Sequence, residues 1–438
     1  MTSATTQGSP SPGHKEEEWT EDECTTWPAD NDGGWNATNS DTKIKLDTHA
    51  PPGGWKKPSG IKVVAVIFYG RRRNVDILDC YLQQNLVHNG GYLDEVRFFK
   101  HTVNHQDLEY LHRLTSEVKG YRMVDPYICD YSCMWAKLVE DNTIYIKIDD
   151  DVLYIHHDAI PQLVHTRIKE QHPLAVSANL VNAPVTGLEH FHFGAIHPFV
   201  PAPVPSTKPP PPAKQPSWRP SQTPLYPKDL PQTNFSVFPD PPYAGHTWHL
   251  LAGDNSRTLQ ESPAGVNFHR NAGLHDLFIQ AYQSWAIGAQ QQYSLLRNIE
   301  LNQISRYFFG TRLHYLHANG SAIGFDNDDK DGPGAEQLFD TQYKRTNVIF
   351  LAMWGHDIRA ALPLGEDDEL ALTIYKPLEM RRPFVVDTRA VILHYSFGSQ
   401  FQGMRKTDLL DRWRALANEI ACPVKNQKGP WDERCPGI

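Results

Sequence analysis

The sequence predicts an α/β fold built on a mixed, mostly parallel sheet flanked by helices. Three observations point there. Lys62 to Tyr69 is a run of β-branched and aromatic residues, the pattern of a strand covered on both faces. Strand-like and helix-like segments then alternate as far as Asn179, the succession that builds βαβ units. A triple aspartate, Asp149-Asp150-Asp151, ends the apolar run Ile144 to Ile148, and open α/β sheets place their ligands just beyond strand carboxyl ends.

Each element has a local reason. After the first strand, Asn74 or Asp76 is placed to cap a helix whose apolar residues Val75, Leu78, Leu82 and Leu86, with Ile77 and Tyr81, keep the helical period. Val96 to Phe99 reads as a strand, Asp107 to Val118 as a helix and Tyr121 to Val124 as a short strand. Tyr131 to Leu138 reads as a short helix, Glu140 to Asn142 as a turn, and Thr143 to Ile148 as the strand that carries the aspartates. Asp158 to Arg167 has Ile160, Leu163 and Val164 at helical spacing, and Leu174 to Asn179 is a further strand. Later come a long helix from Leu274 to Asn302, a strand from Val348 to Met353, a helix from Glu369 to Leu378 and a strand from Phe384 to Tyr395.

The 438 residues divide into one long domain, 61–421, between a disordered tail, 1–60, and a short tail, 422–438. The first tail mixes Gly, Pro, Ser and acids with isolated tryptophans, too little apolar surface to offset chain entropy. Residues 198–243 carry nearly half of the 34 prolines and read as a surface insertion of polyproline character. The formal net charge of -9 argues against non-specific nucleic-acid binding, since no basic stripe is present to neutralise phosphates. No stretch approaches the roughly 18 apolar residues that span a bilayer, so a soluble chain is expected. The six cysteines give no zinc half-sites and no disulfide framework. Cys129 and Cys133 read as buried thiols, and Cys422 could pair with Cys435 in an oxidising compartment.

The aspartates carry the chemistry. Carboxylates at the tip of a buried strand must be paired, protonated or bound to a metal, and hard oxygen ligands suit Mg²⁺ or Mn²⁺ with a phosphorylated substrate. A solvated acidic turn is the plainer alternative. A second acidic run, Glu366-Asp367-Asp368-Glu369, precedes the apolar stretch from Leu370, where it would also complement a helix dipole. His394 ends the late strand and offers an imidazole, a good metal ligand as well as a common structural residue. A third acidic stretch, Asp326 to Gly332, imitates a calcium loop, but Asn327 stands in place of the opening Asp and Leu338 in place of the closing Glu; it reads as solvated.

In order and setting, these three features together resemble those of GT-A fold glycosyltransferases, whose Rossmann-like domain holds a nucleotide-diphosphate sugar. The strand-end DxD is matched by Asp149 and Asp151, the xED motif by Glu366-Asp367 with Leu370 behind it, the glycine loop by Trp354-Gly355 and the late histidine by His394. The likeness extends to uncharacterised fungal proteins of that type. It implies that 61–197 is the nucleotide-sugar half and 244–421 the acceptor half. It also implies that Asp149, Asp151 and His394 hold Mn²⁺ or Mg²⁺, with Asp150, Arg71, Tyr69 and Gly355 helping to bind the donor. Asp367 would be the general base, with Glu366 and Asp368 shaping its pKa. The partners implied are a nucleotide sugar and a glycan, protein, lipid or small-molecule acceptor, with transfer by inversion. The processive signature QxxRW is missing, because Leu409 stands where Gln would precede Arg412-Trp413.

Two rivals remain at this stage. A haloacid dehalogenase-like phosphohydrolase also opens its motif DxD, although Leu153 departs from that motif and several strands precede the aspartates. The other is a sugar-nucleotide or glycan-binding protein without turnover.

Overall fold

The computed structural model describes residues 43–124, 131–203, 217–229, 241, 245–270, 281–309, 315–316, 322–323 and 337–427. The fold is α/β, a mixed, mostly parallel sheet flanked by helices. Its strands are β1 (Lys62–Tyr69), β2 (Glu95–Lys100), β3 (Tyr121–Val124), β4 (Thr143–Asp149), β5 (Val152–Ile155), β6 (Ala175–Val181), β7 (Leu338–Asp340), β8 (Phe350–Trp354) and β9 (Phe384–His394). Among the described residues they run in the order β7-β9-β6-β8-β4-β1-β2-β3, with β5 paired to β9. The pairs β4-β1, β1-β2, β2-β3 and β6-β9 are parallel, and β8 lies antiparallel between β4 and β6.

The reading of β1 as a strand buried on both faces holds, and its alternation explains the two halves of the core. Val63, Ala65, Ile67 and Tyr69 pack on one side with helix α1 (Arg72–Gln84), while Val64, Val66 and Phe68 pack on the other with Trp135 and Leu138. On β4 the same period puts Ile144, Ile146 and Ile148 with the first group and Tyr145 with the second. Lys147 and Asp149 therefore share the face of Tyr145 and Phe68.

Several expectations need correction. Helix α1 starts at Arg72 with Arg71 as its N-cap, so Asn74 and Asp76 lie inside it rather than capping it. Asp76 is buried and takes hydrogen bonds from the Tyr110 hydroxyl at 3.2 Å and from Arg414. The helix expected from Glu369 is broken into a turn, Asp368–Leu370, a π-helical segment, Ala371–Tyr375, and a last α-helical turn, Lys376–Met380. The expected long helix is interrupted at Ser284, which caps α3 (Trp285–Glu300) by accepting from the Ile287 N–H; residues 281–283 before it are helical, and residues 274–280 fall outside the described residues.

The tails and the insertion contribute to the core where they are described. Ile44, Leu46 and Trp55 pack against it, so residues 43–60 do not belong to a disordered tail. Within the insertion, Phe199–Pro201 pairs antiparallel with Trp248–Leu250. Trp218 is buried, and its indole N–H donates to Glu419 of helix α4 (Leu409–Ile420) at 2.7 Å. The segment around Trp218 is thus packed structure rather than a bare surface excursion. Cys422 forms a disulfide with Cys80 of α1, their Cα atoms 4.4 Å apart, in place of the expected partner Cys435. Cys129, Cys435, Pro209 to Pro212 and the acidic stretch 326–332 fall outside the described residues. No helix among the described residues is long and apolar enough to cross a membrane.

Candidate functional site

At the carboxyl ends of β1 and β4, a cavity of about 340 Å³ is lined by Phe68, Gly70, Arg71, His101, Lys147, Asp149, Asp150, Val348, Ile349, Asp368 and Glu369. The parallel register sets Phe68 opposite Asp149, so the turn after β1 lies beside the triple aspartate. Asp150 is buried; one carboxylate oxygen accepts from the Gly70 N–H at 2.8 Å and the other from Arg71 Nε at 3.0 Å. Gly70 eases that approach, since a Cβ there would sit a tight 3.2 Å from Asp150 Oδ2. Arg71 also reaches Asp151 Oδ2 at 2.9 Å, so one guanidinium spans two aspartates.

His394 ends β9, which pairs with β5 just after Asp151. The β5-β9 register slips by one residue between Leu393 and His394, a local irregularity at which His394 Nε2 lies 3.2 Å from Asp151 Oδ2. Its Nδ1 lies 3.1 Å from the Asn182 carbonyl, which fixes the ring. Burial disfavours the imidazolium, but the Asp151 carboxylate outweighs it and raises the His394 pKa. Burial likewise opposes ionisation of Asp151, yet His394 and Arg71 hold its carboxyl well below the usual carboxylate range. Asp151 Oδ1 is buried without a hydrogen-bond partner.

Asp149 differs. Burial pushes its carboxyl up to about 6, with Lys147 opposing the shift and Asp151 adding to it. Its side chain keeps 28% exposure, and Lys147 Nζ lies 2.5 Å away. Lys147 is itself buried, with its ammonium 5.0 Å from the Phe68 ring centre. Sequence reasoning passed over Lys147. Its signal was a lysine inside Ile144-Tyr145-Ile146-Lys147-Ile148, where a buried strand has no room for an unpaired cation.

The second acidic run reaches the cavity through Asp368 and Glu369. Asp368 Oδ2 accepts from the Trp135 indole N–H at 2.9 Å, and Glu369 pairs with Arg345 at 2.6 Å. Asp367 does not line the cavity; it is the N-cap, accepting from the Leu370 N–H at 2.9 Å and lying 3.2 Å from Arg345. Glu366 is exposed. Tyr69 points to the opposite face of β1 from Phe68, where its hydroxyl donates to the Asp107 carbonyl at 2.7 Å. Gly355 follows β8 at the end away from the cavity, about 17 Å from Phe350 by strand rise. A Cβ there would collide with the Glu140 carbonyl, so Gly355 allows close packing.

The cavity walls and Asp151 together carry five carboxylates against the formal cations Arg71 and Lys147. Arg345 is paired with one of these carboxylates, Glu369, and Asp151 Oδ1 is left without a partner.

No family model matches the chain, and no curated protein sequence matches it. Among solved structures, it is similar to glucosyl-3-phosphoglycerate synthase from Mycobacterium tuberculosis in complex with Mn²⁺, uridine diphosphate and phosphoglyceric acid. That likeness has 18% identity and a TM-score of 0.25, over 35% of this chain and 57% of that one. A mycobacterial protein is similar at 14% identity and a TM-score of 0.23, over 28% of this chain and 41% of that one. The chain thus spans less than two thirds of either neighbour.

Proposed function

We propose that this chain is a metal-dependent glycosyltransferase of the GT-A type, moving a sugar from a nucleotide-diphosphate sugar to an acceptor hydroxyl with inversion. One observation carries the reading: two acidic segments more than 200 residues apart in sequence, at Asp149-Asp150 and Asp368-Glu369, line one cavity together with Arg71 and Lys147. An acidic turn that is merely solvated has no reason to meet a second one around a buried lysine and an arginine paired to its carboxylates.

Asp149 and Asp151 are the groups that would hold Mn²⁺ or Mg²⁺, with His394 Nε2 3.2 Å from Asp151; Asp151 contributes the oxygen that now lacks a partner. When bound, the ion supplies positive charge to the departing diphosphate. Arg71 and Lys147 contribute to the same end. Each is now paired with carboxylates and can exchange them for diphosphate oxygens. Phe68 gives the cavity an apolar wall.

For the acceptor, Asp368 is the general base we favour among the three candidates. It lines the cavity, and the Trp135 N–H holds one carboxylate oxygen in place while the other is left to take the hydroxyl proton. Asp367 is engaged in capping and Glu366 is exposed.

Calorimetric titration of the full chain with nucleoside diphosphates tests the donor site. Binding that requires Mn²⁺ or Mg²⁺ and disappears in a folded Asp149→Ala/Asp151→Ala variant supports it; unchanged affinity in that variant refutes it.

A further inference from the structure

Away from the cavity, a second group of ligating side chains converges from two separate parts of the chain. His49 belongs to the docked segment before β1, while His156 and Asp158 belong to the turn between β5 and helix α2 (Ala159–Lys169). One ligand atom from each lies within 4.8 Å of those of the other two. Asp158 is fully buried and organises the turn: its carboxylate accepts from the Thr48 hydroxyl at 2.9 Å, the His49 N–H at 2.8 Å and the Trp55 indole N–H at 2.6 Å. His49 Nδ1 lies 3.2 Å from Asp158 Oδ2. The His49 and His156 rings stack with centres 5.8 Å apart and planes 13° from parallel.

The observation that asks for a ligand is that His49 Nε2 and His156 Nε2 are both buried with no hydrogen-bond partner, while the other ring nitrogens are engaged, His156 Nδ1 accepting from the Asp158 N–H at 3.3 Å and His49 Nδ1 facing Asp158 Oδ2. His156 as a whole retains 1% exposure. Orphaned polar atoms at such depth each forfeit a hydrogen bond, and two of them beside a buried carboxylate make an unusual concentration. The neighbouring charges do not forbid a cation. Arg389 lies near His49 but is paired with Asp387 at 3.4 Å, and His157 is held toward its neutral form by burial.

We infer that His49, His156 and Asp158 form a second metal site, which takes a borderline transition ion such as Zn²⁺ and fastens residues 43–57 to the main sheet. Two imidazoles and one carboxylate suit Zn²⁺ better than Mg²⁺, which prefers oxygen alone. The site is distinct from the aspartate cavity. His156 and Asp151 stand at opposite ends of β5, about 16 Å apart by strand rise. Metal here would add a staple to the hydrogen bonds that Thr48, His49 and Trp55 already make to Asp158 and to contacts such as the Ile44 N–H to Glu419.

The test uses the full chain carrying Asp149→Ala/Asp151→Ala, stripped with chelator and titrated with Zn²⁺ alone, then with Co²⁺ as a spectroscopic reporter. The expected result is one equivalent of Zn²⁺, visible d–d bands from nitrogen-ligated Co²⁺, and a loss of affinity of at least about tenfold on adding His49→Ala. His49→Gln is the second variant, because it keeps the backbone N–H bond to Asp158 and much of the ring volume if the alanine variant fails to fold. Failure of the aspartate-free chain to take up Zn²⁺, or uptake unchanged by both His49 variants, overturns the inference.

Discussion

Exchanging Asp367 and Asp368 one at a time for Asn separates a helix cap from a base. Asp367 is 44% exposed in its side chain and meets Arg345 at 3.2 Å, so its ion pair is worth about 1 kcal/mol or less. Asn caps a helix as well as Asp does, and the Leu370 N–H keeps its acceptor. Asp367→Asn should therefore lower stability by less than about 1 kcal/mol and leave turnover near wild type. In Asp368→Asn the amide oxygen can still accept from Trp135, so folding should survive. The amide cannot take a proton, however, and turnover should fall by roughly 10²–10⁴ with donor binding retained. Urea unfolding and metal-dependent hydrolysis of the nucleotide-sugar donor measure the two effects. Loss of turnover in Asp367→Asn with a normal Asp368→Asn enzyme would refute the assignment.

Other consequences follow from packing and protonation. Trp218→Ala should cost about 3–5 kcal/mol, because it opens a cavity and leaves Glu419 without an indole donor; a loss below about 1 kcal/mol would show that the segment does not pack. Asp357 accepts from the fully buried Arg167 at 2.7 Å and from Arg382 at 2.9 Å, so Asp357→Ala should cost about 3–5 kcal/mol by stranding a buried cation. A near-neutral result in chemical denaturation would contradict that. His190 is fully buried, and burial holds its pKa down to about 3. The folded value lies below the unfolded one, so this contribution is intact above about pH 6.5 and is lost as pH falls toward 3, by about 2 kcal/mol at pH 5. Unfolding midpoints of wild type and His190→Gln across that range check it, because the variant should have the shallower acid slope.

Much of the fold was legible because buried strands and amphipathic helices leave periodic signatures. β1, β4 and β9 could be placed from such runs, and the aspartates stood out because carboxylates rarely follow a doubly covered strand. What stayed hidden depended on contacts between distant segments. Arg71 could be suspected from its position after β1, but its grip on both Asp150 and Asp151 exists only through the parallel register of β1 and β4. Choosing between Asp367 and Asp368 turns on which side chain faces the cavity, and one residue reverses that. Ile44 and Trp55 sit in a stretch whose composition argues for disorder and Trp218 in one that reads as a surface insertion; each packs into or against the core through contacts with distant segments, which leave no local period. The Cys80–Cys422 pair spans 342 residues, a separation no spacing rule reaches.

The central claim is tested most directly by following a panel of nucleotide-diphosphate sugars with the full chain and Mn²⁺ by phosphorus and proton NMR. The account predicts metal-dependent cleavage at the sugar–phosphate oxygen bond, giving intact nucleoside diphosphate and free or transferred sugar, with none from Asp149→Ala/Asp151→Ala. Release of inorganic phosphate from simple phosphate esters, or metal-dependent nucleotide binding with every donor left intact, would contradict it.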